Sequence, residues 1–115
     1  MNDPTELEPT RARRWCVEAR AVIIDVREAA EYHMEHIPGS LCAPLSFLDT
    51  DHFPGAFADA VILYCDSGKR SMAAGRELVE GGHQKIYNLA GGIEKWREDG
   101  LPTQGARFDE HDFMI

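Results

Sequence analysis

The sequence predicts an α/β fold, a small parallel sheet with helices on both of its faces. Two observations lead there. Short apolar runs with β-branched residues occur at 21–26 and 61–64, and 84–89 reads as a further strand; the two apolar runs are of strand length and typical of strands covered on both sides. Between them lie segments with helical spacing, and strands alternating with helices assemble most simply as a parallel sheet. Ligands of such sheets bind outside the carboxyl ends of the strands.

The elements follow in order. A short strand is expected near 5–7, and Pro9 suits the first turn of a helix, where its missing N–H costs nothing. Residues 10–19 then carry Ala12, Trp15, Cys16 and Ala19 at helical spacing, with Trp15 and Cys16 facing the core. The strand at 21–26 ends in Asp25-Val26-Arg27-Glu28. Charged residues there either do chemistry or brace loops through ion pairs, and bracing is the reading taken for Asp25 and Arg27. Residues 28–35 make a short helix. His33 and His36 are three apart, but their neighbourhood offers no further ligands and Ile37-Pro38-Gly39 breaks the helix beside them. Both therefore read as structural or solvent-facing, not metal-binding. A brief strand over 40–44 precedes an irregular stretch, 45–57, in which Phe47, Leu48, Phe53 and Phe57 are expected to supply core contacts.

The central stretch is a strand, a polar turn opened by Cys65, and a helix. After Arg70, Met72, Ala73, Gly75, Leu78 and Val79 keep helical spacing until Gly81-Gly82, a pair suited to ending a helix. Beyond it come the strand at 84–89, a turn at Ala90-Gly91-Gly92, and a short helix over 93–99 returning Ile93, Trp96 and Arg97 to the body. Residues 5–103 are expected to form the domain and 104–115 a tail.

Cys65 would thus leave the carboxyl end of a strand while Asp66, Ser67, Gly68, Lys69 and Arg70 curl towards a helix amino terminus. Unpaired N–H groups and the positive dipole end make that a place for an anion, and a thiol placed so loses its proton more easily. Lys69 and Arg70 add positive charge, and Gly68 permits the tight turn. The same run also describes a small buried cysteine ending a core strand. Short Cys/Gly/Arg patterns recur by chance, so the rest of the chain decides.

Composition narrows the classes. The chain has 115 residues, one domain's worth, with ordinary hydrophobic (43%) and charged (28%) content. A net charge of −8 argues against nucleic acid or an anionic membrane as the main partner. No apolar run approaches membrane-spanning length, and the first residues do not resemble a signal peptide. Three cysteines, Cys16, Cys42 and Cys65, with no CxxC pair, indicate neither a disulfide framework nor a zinc site, and a reducing cytoplasm is expected.

Three stretches together resemble a single-domain rhodanese, a sulfurtransferase. The first is Asp25-Val26-Arg27-Glu28, Glu31-Tyr32 and His36-Ile37-Pro38-Gly39-Ser40 with Pro44; the second is Cys65-Asp66-Ser67-Gly68-Lys69-Arg70-Ser71, similar to that family's active-site loop; the third is Leu89-Ala90-Gly91-Gly92-Ile93 with Trp96 and Gly100-Leu101-Pro102. The resemblance runs from about Leu7 to Pro102, in the family's order and spacing. Glu35 stands where the family usually has glycine and is expected to change the nearby surface. Cys42 stands where asparagine is frequent and would be an extra oxidisable thiol.

The resemblance implies a rhodanese-like α/β fold with a five-stranded parallel sheet. It implies that Cys65 attacks the sulfane sulfur of thiosulfate or of a persulfide donor, then passes it to cyanide, a thiol or a protein cysteine. Main-chain N–H groups from Asp66 to Ser71 would hold the sulfur, Lys69 and Arg70 would orient an anionic donor, and Ser67 and Ser71 would donate hydrogen bonds. Asp66 would point to solvent. No metal and no cofactor is called for, and the partners are small sulfur compounds or a protein persulfide donor or acceptor, with neither nucleic acid nor membrane. Related dual-specificity phosphatases place one more residue between cysteine and arginine than the four, Asp66 to Lys69, found here; the shorter ring favours sulfur over a phosphoryl group. The alternatives retained are a persulfide carrier and a protein-binding rhodanese-like module, both with little thiosulfate activity.

Overall fold

Alternation along one strand sets the layering. The computed structural model describes residues 3–53 and 58–108. It contains β1 (Thr5–Leu7), α1 (Pro9–Val17), β2 (Ala21–Asp25), α2 (Ala29–Met34), β3 (Leu41–Cys42), β4 (Ala60–Tyr64), α3 (Lys69–Glu80), β5 (Ile86–Leu89) and α4 (Gly92–Glu98). The five strands are parallel in the order β1-β5-β4-β2-β3. Central β4 is buried throughout. Its side chains alternate between faces: Ile62 and Tyr64 join Ala12, Ile93 and Trp96 beneath α1 and α4, whereas Val61, Leu63 and, just past the strand, Cys65 join Ala74 and Leu78 of α3.

Register brings the candidate residues to one edge. Asp25 lies opposite Tyr64 at the carboxyl ends of β2 and β4, so the turns that follow, with Arg27 and Cys65, emerge side by side. Tyr64 is fully buried, and its hydroxyl accepts the Ile37 N–H at 3.1 Å and pairs with Ser40 Oγ at 2.9 Å. That anchors the segment between α2 and β3 under the sheet's end. Burial, then the negative charge of Asp25, raise the Tyr64 hydroxyl well above its usual range, so it stays a neutral hydrogen-bonding post.

The structure departs from expectation in two places. Phe47 is 81% exposed, because a 3-10 turn over Leu45–Phe47 directs Leu45 and Leu48 inward instead. Phe53 is buried as expected, while Phe57 and Pro54-Gly55 lie outside the described residues. The strand expected over 40–44 is confined to Leu41–Cys42. Past residue 103, Gln104 and His36 exchange main-chain hydrogen bonds at 2.8 and 2.9 Å. The acidic stretch 109–112 of the tail lies outside the described residues.

Candidate active site

Cys65 is 1% exposed at the bottom of a loop that turns from β4 into α3. The Gly68 N–H donates to its sulfur at 3.1 Å and the Ser71 N–H at 3.4 Å. Gly68 makes the turn in the left-handed region, at φ 107°, which glycine adopts without strain. The amino end of α3 thus aims main-chain donors at Sγ, where a negative charge gains most.

A side-chain chain running in from Glu6 to the buried Asn88 sets the orientation of Ser71. Asn88 on β5 donates through Nδ2 to Glu6 Oε1 at 3.1 Å and to the Gly68 carbonyl at 3.2 Å. Its Oδ1 therefore faces Ser71, whose hydroxyl donates to it. With its one proton so committed, Ser71 Oγ turns a lone pair towards Sγ, 3.4 Å away. In this arrangement Ser71 reaches the sulfur through its N–H, while its hydroxyl donates to Asn88.

The loop is also held from behind. The Ile93 N–H donates to the Cys65 carbonyl at 2.9 Å and the Glu94 N–H to the Asp66 carbonyl at 3.1 Å. Gly92 allows this approach: its φ is 63°, and a Cβ there would overlap both carbonyls.

Around the mouth runs a chain of alternating charges. Buried Arg27 grips Asp25 through its backbone N–H at 2.8 Å, through Nε to both carboxylate oxygens at 3.1 Å, and through Nη2 at 2.8 Å. Its Nη2 also reaches the Glu35 carbonyl, and its Nη1 donates to Asp66 Oδ1 at 3.3 Å. Burial opposes the charge on Arg27, but the hydrogen bonds and charge of Asp25 outweigh it and hold the guanidinium firmly protonated. Arg70 donates both Nη atoms to Glu31 at 2.9 Å each, and Nη2 also to Asp66 Oδ2 at 3.0 Å. The Arg70 hydrogen bonds hold the Glu31 carboxyl down at about 2.

Of the loop from Asp66 to Ser71, the Gly68 and Ser71 N–H groups reach the Cys65 sulfur, and Asp25 and Arg27 pair with each other beside the loop. Asp66 does not face solvent alone; it is clasped by Arg27 and Arg70. Ser67 and Lys69 are exposed. Glu35 is buried, not a surface change: its carboxylate accepts from Thr103 Oγ1 at 2.7 Å and Arg107 at 2.8 Å, with Arg97 at 3.6 Å. Sequence reasoning missed Glu31, Asn88, Glu6 and Gly92 as parts of the site. Burial pushes the Cys16 and Cys42 thiols up, so neither is prepared as a nucleophile. Nδ1 of His36 lies 2.6 Å from the Tyr32 carbonyl and its ring stacks on Tyr32. Among the described residues no group of three or more potential metal ligands gathers.

Residues 8–99 match the model of the rhodanese-like domain. The chain belongs to the rhodanese-like family. It is 32% identical over 108 residues to the thiosulfate sulfurtransferase GlpE of Actinobacillus succinogenes, covering 89% of this chain and 92% of that one. It is 39% identical over 82 residues to an uncharacterized protein of Synechocystis, covering 71% of this chain but only 46%, about half, of that relative's length. Among solved structures, a thiosulfate sulfurtransferase from Pseudomonas aeruginosa superposes with a TM-score of 0.79 at 26% identity, over 90% of this chain and 20% of that one. In the rhodanese-like frame the loop from Cys65 to Ser71 lies at the carboxyl end of the central strand. No helix among the described residues is long and apolar enough to cross a membrane.

Proposed function

We propose that the protein is a sulfurtransferase that moves a sulfane sulfur through a persulfide on Cys65. The observation carrying this reading is the convergence of the Gly68 and Ser71 N–H groups on one buried sulfur. In the first step the Cys65 thiolate attacks the outer sulfur of thiosulfate or of an organic persulfide. A new S–S bond forms at Sγ, the donor's S–S bond breaks, and sulfite or a thiolate leaves with the electron pair. In the second step cyanide, a thiol or a protein cysteine attacks the outer sulfur and releases the Cys65 thiolate. Dividing the transfer in two predicts ping-pong kinetics.

The loop's donors suit this chemistry because they are fixed before any charge arrives, as in an oxyanion hole. The family membership and the likeness to thiosulfate sulfurtransferases support the same reading. Three free cysteines fit a reducing compartment, and we place the protein in the cytoplasm.

The test is the intact mass of reduced protein after brief exposure to thiosulfate or to a small organic persulfide. One added sulfur is expected on the wild type and none on Cys65→Ser, with cyanide removing it as thiocyanate. A wild type that gains no sulfur from either donor overturns the proposal.

A further inference from the structure

Any sulfur donor must meet a rim whose arginines are already taken. Arg70 is the loop residue best suited to grip a sulfonate, since its planar fork matches two oxygens. Here that fork is filled. Glu31 holds both Nη atoms at 2.9 Å and Asp66 shares one of them. Arg27, the other guanidinium nearby, is spent on Asp25, Asp66 and the Glu35 carbonyl. Three carboxylates thus meet two guanidiniums, and the rim offers a dianion no open bidentate seat.

The pair is not locked in the interior. The side chains of Arg70, Glu31 and Asp66 are 39%, 33% and 44% exposed, so an incoming anion competes with Glu31 for the fork in the presence of water. Next to Glu31 lies a groove of about 530 Å³ lined by Arg27, Ala30, Glu31, Met34, Glu35 and Arg107. Met34 is 41% exposed and Ala30 is open to solvent, which gives an aliphatic scaffold a surface beside the rim.

We infer that Glu31 is a specificity-determining residue that withholds Arg70 from oxyanion donors, so that the protein takes its sulfur from an organic persulfide in preference to thiosulfate. This rests on the sulfurtransferase reading above. The step balances without a further reagent: the Cys65 thiolate attacks the terminal sulfur of R–S–SH, the Sγ–S bond forms, the donor S–S bond breaks, and RS⁻ departs. Unlike sulfite, that leaving group asks for no bidentate cation.

Glu31→Gln is the informative variant. Glutamine still accepts the Glu28 N–H that Glu31 Oε1 accepts at 3.1 Å and is acceptable in that position of a capping box, so α2 keeps its start. The experiment measures kcat/KM for thiosulfate and for N-acetylcysteamine persulfide, whose scaffold is uncharged, with cyanide as common acceptor. Wild type is expected to favour the persulfide, and the variant to narrow that preference about tenfold, ~1.4 kcal/mol, mainly through a lower KM for thiosulfate. A purely structural role would move both donors together and leave their ratio in place. An unchanged ratio, or a wild type that prefers thiosulfate, overturns the inference while sulfur loading of Cys65 still stands. Failure of both donors to load Cys65 overturns the sulfurtransferase reading itself.

Discussion

At the scale of single residues, the pairing of Arg27 with Asp25 decides most. Asp25 is fully buried and Arg27 nearly so. Removing one partner would leave a charge in a medium that cannot solvate it, at a cost of about 3–5 kcal/mol. Arg27→Ala is therefore expected to lose that much stability, read as a lower denaturant midpoint. A loss below about 1 kcal/mol would mean that water reaches Asp25 freely. Glu31 gives a pH signature. Its carboxyl falls from 4.5 to about 2 on folding, chiefly through the Arg70 hydrogen bonds. A depressed carboxylate contributes stability that is complete above its unfolded value and is lost as pH falls towards the folded one. Stability should accordingly decline between about pH 4.5 and 2, and Glu31→Gln should flatten that part of the curve. An acid limb identical in the two proteins would contradict the assignment.

Elements, not side chains, give the loop its shape, and α4 matters as much as α3. Gly92→Ala would put a Cβ into the Cys65 and Asp66 carbonyls at a φ of 63°. The variant is expected to lose about 1–3 kcal/mol and to take up sulfur more slowly, both visible by thermal melting and by mass. Glu35 acts on the next element out. Its carboxylate receives Thr103, Arg107 and Arg97, while its carbonyl receives Arg27. Glu35→Ala should release residues 103–108, seen as faster amide exchange at Gln104, with about 2 kcal/mol lost. Unaltered exchange there would show that the pairing of Gln104 with His36 holds the segment without help.

The same scale shows what the chain's letters could and could not reveal. The strands and the Cys65 turn were legible because their signals are local: apolar runs of strand length, a cysteine, a glycine able to take a positive φ. The site's supports were not, because they arrive from far along the chain. Glu31 meets Arg70 across 39 residues, Asn88 meets Ser71 across 17, and Asn88 meets Glu6 across 82. Each reads locally as an ordinary helix or strand residue. Phe47 failed for the opposite reason. Apolarity promised burial, but the turn over Leu45–Phe47 spends its inward positions on leucines.

For the molecule as a whole, charge is the governing quantity. A net charge of −8 repels a dianion before it reaches the loop. Raising ionic strength from about 0.01 to 0.15 M shortens the screening length from about 30 to 8 Å. The kcat/KM for thiosulfate should rise over that range, and that for an uncharged-scaffold persulfide should change less. A fall for thiosulfate with added salt would instead mark an attractive field at the mouth.

The bonds from the Ile93 and Glu94 N–H groups to the Cys65 and Asp66 carbonyls turn α4 into a natural sensor. An extra atom on Sγ that strains the loop passes that strain to those two bonds, because they hold the carbonyls of Cys65 and of the residue after it. The Ile93 and Glu94 amide resonances would then report the fraction of protein carrying cargo. A titration with donor could be followed in real time, without a label and without stopping turnover.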